Sequence, residues 1–351
     1  MSIDNKITEV LDVGIKARVF PGAIVGYIKN GQNNFVASGH LTYDRLTAKI
    51  NKNTIYDVAS ITKSIPVSSI ILNLLGKNRL SLEDRVVKYI PELQFEYKND
   101  VLIKHLLTYT VVWDMPNGLS YYARQGYKAV LDAIYDGPLM APPGQKYYYT
   151  NPPSILLTLI IERLCGKNLE SVAKELFFKP LNMHSTTFYP KLLKDRDIAP
   201  SEIDFRGEIK SEVHDEAAWA LGKINKLAGN AGLFSDAEGL LKFSWMLING
   251  GVLNNKTYFS SEFFKQIYTN QIANLDSIAG LGWELNQPHF MGTKTSSECF
   301  GKTGFTGTSI LVDPIKQVSI VILTNRTYPK RPKNSYQIND IRSKIADIIM
   351  G

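Results

Sequence analysis

A serine and a lysine three positions apart, Ser60 and Lys63, stand where the β-like Thr54-Ile55-Tyr56 gives way to an apolar helical pattern (Ile65, Val67, Ile70, Ile71, Leu74, Leu75). On a helix that spacing puts both side chains on one face, a turn apart. A serine hydroxyl becomes an effective nucleophile when a neighbour takes its proton, and a lysine can do so once a crowded or cationic pocket lowers its pKa. The first N–H groups of a helix have no partners within it, so the Ser60 N–H can meet an oxygen that turns negative during attack. The pattern by itself is cheap. Ser171-Val172-Ala173-Lys174 repeats it inside a stretch that is helical on both sides, which reads as a helix surface with Lys174 in water.

Two further stretches could share a cleft with Ser60. Pro142-Pro143-Gly144 leads into an aromatic run ending Tyr149-Thr150-Asn151, which offers a proton-transfer phenol and a neutral amide on a tight loop. Y-x-N also occurs at Tyr97-Lys98-Asn99 and Tyr268-Thr269-Asn270, so alone it reads as surface loop. Near the carboxyl end, Gly301, Gly304 and Gly307 surround Lys302 and Thr303 ahead of a β-like run. Such glycines let a substrate lie against the backbone, with the lysine as a fixed positive charge. A phosphate-binding loop is excluded, because Ser296 stands where its leading glycine belongs and a strand, not a helix, follows.

Taken in order, S-x-x-K, Y-x-N and K-T-G make the chain resemble the serine β-lactamase and penicillin-binding-protein superfamily, in particular the class C β-lactamase-like serine hydrolases and esterases. The resemblance runs over nearly the whole chain and includes Asp57 to Lys63, Pro143-Gly144 to Asn151, Val213-His214-Asp215-Glu216, Ala228 to Ser235 and the final Gly-rich strand. It implies a two-step acyl transfer in which Ser60 attacks a carbonyl while Lys63 and Tyr149 handle protons. The N–H groups of Ser60 and Phe305 would form the oxyanion hole, with Thr303 and Gly304 beside them on the substrate-binding strand. Asn151 would orient the substrate amide or the Lys63 ammonium; Lys302 would bind a substrate carboxylate and keep Tyr149 acidic. Water then releases the acyl group, unless an alcohol or amine intercepts it.

Three departures from the family pattern stand out. Lys302 occupies a position where many esterase-like relatives carry histidine, which favours substrates bearing a negative group. Tyr109-Thr110-Val111-Val112 replaces the usual His-Thr-Ser-Gly, so a cleft-side loop loses its small residues. Pro152-Pro153 follows Asn151 and should stiffen that loop.

The elements that must position these groups follow from periodicity. A helix is expected over residues 4–18, a hairpin from strands 23–28 and 35–38, and a bend in the Ser60 helix at Pro66. Helices are expected at 102–108, 127–135, 154–164, 169–178 and 238–247, then strands at 281–285, 298–301, 308–312 and 318–324, and a last helix at 338–350. Strands at both ends with helices between give an α+β fold, β-lactamase/transpeptidase-like in the terms of the resemblance. An antiparallel sheet joins the termini (residues 1–62 and 278–351) around an inserted, mainly α-helical domain (63–277), the whole forming one catalytic unit.

Composition excludes several classes. The net charge of +7 comes from 40 basic and 33 acidic residues scattered along 351, with one short basic run at Lys330-Arg331-Pro332-Lys333, so no nucleic-acid partner is expected. No stretch reaches the ~18 apolar residues of a membrane span, and the amino terminus lacks the apolar core of a signal peptide, which points to a cytoplasmic protein without a membrane partner. Cys165 and Cys299 are too few for a disulfide framework, and Cys165 reads as buried packing. His40, His105, His184, His214 and His289 are dispersed, so neither a metal nor another cofactor is expected. A Ser-His-Asp triad through His214-Asp215 lacks a G-x-S-x-G elbow, and His214 reads as structural or pocket-lining. Tyr147, Tyr148, Trp113, Trp219 and Trp283 are candidates for an apolar acyl pocket, with plain core the commoner use of such residues. The expected activity is therefore a Ser60 acyl-enzyme hydrolase acting on a small ester or amide. A true β-lactamase or D-amino-acid peptidase is the alternative, and an idle binding module would be signalled by a broken motif. The sequence does not specify oligomeric state.

Overall fold

A computed structural model describes residues 1–351, and its centre is a six-stranded antiparallel sheet in the order Gln32–Gly39, Gly22–Lys29, Val318–Thr324, Ser309–Asp313, Phe300–Thr303, Glu284–Leu285. The amino-terminal hairpin meets the carboxyl-terminal strands directly, with Ala23 opposite Thr324 and Ile28 opposite Ser319. Its strands run into the expected turn, leaving only Asn30-Gly31 at the tip, with φ +52° and +72°.

Helices cover both sheet faces, so the central strands read as continuous apolar runs that alternate between two cores. Ile24, Ile28, Ile310, Val312, Val321 and Leu323 point into the larger core, shared with the helical part of the chain. Ala23, Val25, Leu311, Ile320 and Ile322 point into the smaller one, closed by the helices Ile3–Lys16 and Tyr336–Met350. Each isoleucine, leucine or valine among them, removed from water, contributes roughly 1.5–3 kcal/mol.

One helix within the 63–277 span expected to form the inserted domain packs on the sheet instead. The helix Ala237–Ile248, inside the 63–277 span, packs on the sheet strands Gly22–Lys29 and Val318–Thr324 and belongs to the sheet layer. Gly26 permits that approach, since a Cβ there would lie 3.0 Å from Leu241 Cδ1. Helices at Gly118–Ala123, Glu216–Gly222 and Ser261–Tyr268 and a short hairpin at Glu202–Ile209 arise where periodicity is too brief to register. No helix is long and apolar enough to cross a membrane. Cys165 is only partly buried, which corrects its expected place in the core; Cys299 is buried.

Candidate active site

The segment that carries Ser60, the expected nucleophile, is held by two neighbouring stretches. Tyr56–Asp57 pairs with Phe234–Ser235, and the Val58 N–H donates to Leu233 O at 3.0 Å. Thr306 and Thr308 donate their hydroxyls to the carbonyls of Asp57 (2.8 Å) and Val58 (3.0 Å), which ties the segment to the turn after Lys302. Ala59 takes the left-handed region (φ +50°), uncommon for a residue with a Cβ; the Asp57 carboxylate accepts its N–H at 2.8 Å and holds the bend that presents Ser60.

Ser60 then begins a helix that bends as Pro66 predicts. Ile65 has non-helical dihedrals (φ −119°, ψ 110°), and the hydroxyls of Ser68 and Ser69 donate across the bend to the carbonyls of Lys63 and Ser64, each at 2.8 Å. All of Lys63 to Ser68 is buried, so the bend is enclosed by the fold.

Within this frame Lys63 Nζ donates to Ser60 Oγ at 2.8 Å and to Asn230 O at 3.0 Å. Burial, reinforced by the nearby Lys302 charge, lowers the Lys63 pKa to about 7, against the opposing pull of Asp215 and Glu284. At neutral pH a substantial share of Lys63 is therefore the free amine, able to take a proton. The Ser60 and Phe305 N–H groups have no acceptor within the protein. Both residues line one cleft of about 630 Å³.

Tyr149 reaches the same place from the loop before the helix Pro152–Cys165. Its ring centre lies 4.9 Å from Lys63 Nζ and 4.1 Å from Lys302 Nζ, and it packs at 4.9 Å on the ring of Tyr109. Tyr109 (φ +56°) thus backs Tyr149 from a buried position, and Val111 and Val112, which stand where the small residues were lost, are buried as well. Tyr149 is 36% exposed, but desolvation of its hydroxyl raises its pKa and the Lys302 charge only partly offsets this, which corrects the expectation of an acidic Tyr149.

Lys302 also differs from expectation. Its side chain is 0% exposed and its ammonium pairs with Glu284 Oε1 at 2.8 Å, so its charge is compensated inside the protein and does not face a substrate carboxylate. The pKa of Lys302 stands well above the ordinary lysine value: burial alone would depress it, but Glu284 and the two tyrosines outweigh that. Thr303, Gly304 and Phe305 do line the cleft. Asn151 lines it too, with its amide 3.4 Å from Asp215 Oδ2; the second Lys63 contact, expected from Asn151, is made by the Asn230 carbonyl. The prolines after Asn151 occupy the first helical positions, where a missing N–H does no harm.

Sequence reasoning missed several supports. His214 pairs with Asp57, not with a serine: its Nδ1 lies 2.8 Å from Asp57 Oδ2, and its ring stacks on Phe305 at 5.8 Å. Arg326 donates to Phe305 O at 3.0 Å, and Arg342 to Gly304 O (3.1 Å) and Thr308 O (2.6 Å), fixing the turn that carries the Phe305 N–H. The second S-x-x-K is structural. Lys174 pairs at 2.8 Å with the buried Glu170, which also accepts from the Thr187 hydroxyl and the Phe188 N–H. No group of three or more His, Cys, Asp or Glu side chains is placed to hold a metal ion. Trp113 and Trp283 are core, Tyr148 is exposed, and Trp219 borders a cavity beside the cleft.

The family description Beta-lactamase matches residues 3–342. The chain belongs to the β-lactamase family of serine hydrolases. Similar curated proteins include two from Escherichia coli named "Putative D-alanyl-D-alanine carboxypeptidase": one from strain K12, 28% identical over 82% of this chain and 74% of that one, and one from O157:H7, 30% identical over the same shares. Among solved structures, EstCE1, described as a hydrolase with promiscuous acyltransferase activity, superposes with TM-score 0.79 at 17% identity, covering 99% of this chain and 98% of its own. A penicillin-binding-protein homologue from Caulobacter crescentus gives TM-score 0.75 at 17% identity, covering 98% and 97%. An octameric one from Pyrococcus abyssi gives 0.74 at 21%, covering 93% and 74%. These likenesses establish the β-lactamase/transpeptidase-like fold of this β-lactamase-family chain.

Proposed function

We propose that the protein hydrolyses small carboxylic esters or amides through an acyl-enzyme on Ser60. The observation that carries this reading is the 2.8 Å contact between Ser60 Oγ and a Lys63 amine whose pKa is lowered to about 7. Free Lys63 takes the Ser60 proton as Oγ bonds to the substrate carbonyl carbon. The carbonyl oxygen becomes an alkoxide held by the Ser60 and Phe305 N–H groups. As the carbon–leaving-group bond breaks, the phenol of Tyr149 gives its proton to the departing oxygen or nitrogen. The resulting phenolate lies beside Lys302 and takes a proton from the water that attacks the acyl-enzyme. When the acid leaves, the Lys63 ammonium returns its proton to Ser60 Oγ, which restores the starting state. Asn151 is assigned to the substrate's amide or carbonyl edge of the cleft, and Thr303 and Gly304 to the strand along which substrate lies.

An ester or small amide is favoured over a substrate whose carboxylate would have to bind at Lys302, because the Lys302 charge is already matched by Glu284. A second reading, a D-amino-acid carboxypeptidase, draws on the names of the curated relatives and on Arg326 and Arg342, which line the cleft near Phe305 and hydrogen-bond to carbonyls rather than carboxylates.

The test is turnover of p-nitrophenyl esters, nitrocefin and a D-Ala-D-Ala peptide by wild type and Ser60→Ala. Ester turnover abolished by the substitution is the expected result. Dominant peptide or nitrocefin turnover selects the second reading or a β-lactamase. Silence on all three, with no mass adduct from a serine-directed phosphonate, rejects catalysis at Ser60.

A further inference from the structure

Next to the catalytic cleft lies a second cavity, about 480 Å³ in volume, that the chemistry above does not use. Its walls are apolar, formed by Phe188, Val213, Trp219, Leu227 and Phe234. Ala231 lines both spaces, and the helix Glu216–Gly222 borders both, with Glu216 on the cleft and Trp219 and Gly222 on the cavity. Ala231 follows Asn230, whose carbonyl accepts from Lys63, so the junction lies beside the reacting pair. Ala231 is the one residue shared by the two linings, and its side chain is a methyl group.

The lining carries three lysines, Lys191, Lys223 and Lys226, against one acid, Glu212. Lys226 reaches Glu162 only at 3.9 Å, and the Lys223 ammonium lies 4.4 Å above the Trp219 ring. An apolar pocket with a few cations at its edge suits an apolar group that ends in a negative charge.

We propose that this cavity receives the substrate's acyl group, so that the preferred acyl donors are esters or amides of an extended aryl or medium-chain acid ending in an anion. The proposal rests on the Ser60 acyl-enzyme and names its substrate class. The acyl chain leaves the carbonyl at Ser60, passes Ala231 and lies against Trp219, with its anionic end drawn to Lys191 and Lys223. Each methylene moved out of water is worth roughly fourfold in binding.

The experiment compares kcat/KM for p-nitrophenyl acetate, p-nitrophenyl hexanoate and the p-nitrophenyl monoester of adipate. Wild type should favour the adipate monoester over hexanoate, and hexanoate over acetate by at least tenfold. Gly222 closes its helix at the cavity wall, and a Cβ there meets nothing within 4 Å, so Gly222→Phe can fill the space. It should cut the hexanoate-to-acetate ratio at least tenfold. Lys223 is exposed, so Lys223→Glu should fold normally and lower the adipate-to-hexanoate ratio about fivefold. Turnover with neither ratio changed overturns the cavity proposal alone.

Binding without chemistry is read separately, by tryptophan fluorescence of Ser60→Ala titrated with 4-phenylbutyrate. A saturable change that Gly222→Phe removes supports the ligand class even where no ester is turned over, an outcome that would sink only the Ser60 reading. Absence of saturable binding overturns the cavity proposal.

Discussion

The ammonium of Lys302 lies 2.8 Å from the Glu284 carboxylate and 4.1 Å from the centre of the Tyr149 ring, with no surface of its own in water. The two members of this pair act on Lys63 in opposite senses, Lys302 lowering its pKa and Glu284 raising it. Removing one partner leaves the other buried without compensation, which typically costs about 3–5 kcal/mol. Lys302→Met should therefore lower stability by about that much and move the acid limb of the pH–rate profile to higher pH. Glu284→Gln should move it to lower pH, and Lys302→Met/Glu284→Leu should recover much of the lost stability. Urea unfolding and kcat/KM against pH read both effects. Equal profiles for the two single variants would show that the pair does not act on Lys63.

The lowered Lys63 pKa also fixes a sign. The proposed mechanism needs the free amine, so kcat/KM should rise with pH through a midpoint near 7. Stability follows the same group: between about 7 and the ordinary lysine value the unfolded chain holds a proton that the folded one does not. The stability of wild type relative to Lys63→Met should therefore increase as pH rises across that window, and level off below it. Urea unfolding of the two proteins at paired pH values checks this. A difference that stays flat would mean that Lys63 is not depressed in the fold.

What the sequence reveals about the site depends on how far apart the partners lie. Ser60 and Lys63 fall within one helical turn, so residue types and spacing suffice. Tyr149 and Lys302 join them only through the resemblance in motif order, because nothing local says which loop faces which strand. Glu284 to Lys302, Asp57 to His214 and Lys63 to Asn230 span 18, 157 and 167 residues and depend on strand register and backbone path. Electrostatics was harder still. A lysine motif suggests a free charge and an acidic tyrosine, whereas one carboxylate set by the register of Glu284–Leu285 against Phe300–Thr303 neutralises the lysine, and desolvation of the Tyr149 hydroxyl holds its pKa up. The sheet strands were legible because alternation is carried by β-branched runs such as Val318–Thr324, while the helix Glu216–Gly222 is too short for its period to show.

Asp57 and His214 lie beneath the proposed oxyanion site. The Asp57 carboxylate accepts from the Ala59 N–H, the His214 N–H and the His214 ring, and that ring backs Phe305. Burial pushes the His214 pKa down, but the Asp57 charge and hydrogen bond outweigh it and leave it raised. The pair therefore adds stability below the unfolded histidine value of about 6.5, and this is lost as pH rises through the folded pKa. Asp57→Asn should cost about 3–5 kcal/mol by breaking a buried pair and flatten that pH dependence. His214→Phe, which keeps a ring against Phe305, should retain more kcat than His214→Ala. Equal kcat in the two His214 variants would show that the stacking does not position Phe305.

Gly304 lies in the turn that carries the proposed oxyanion donor, the Phe305 N–H. A Cβ there would lie 2.6 Å from Val58 O and collide with the Thr308 hydroxyl, the two groups that bind the turn to the nucleophile segment. Gly304→Ala must therefore push the turn away from Ser60 and carry the Phe305 N–H with it. The loss is one of transition-state contact, since the ground-state carbonyl gains less from that donor than the alkoxide does. We expect kcat to fall by ~10²–10³, the range for losing one oxyanion donor, with KM changed much less. The affinity of a boronic acid that forms a tetrahedral adduct on Ser60 should fall in parallel with kcat/KM. A variant that loses stability but binds the boronic acid as tightly as wild type would show that the Phe305 N–H does not hold the oxyanion.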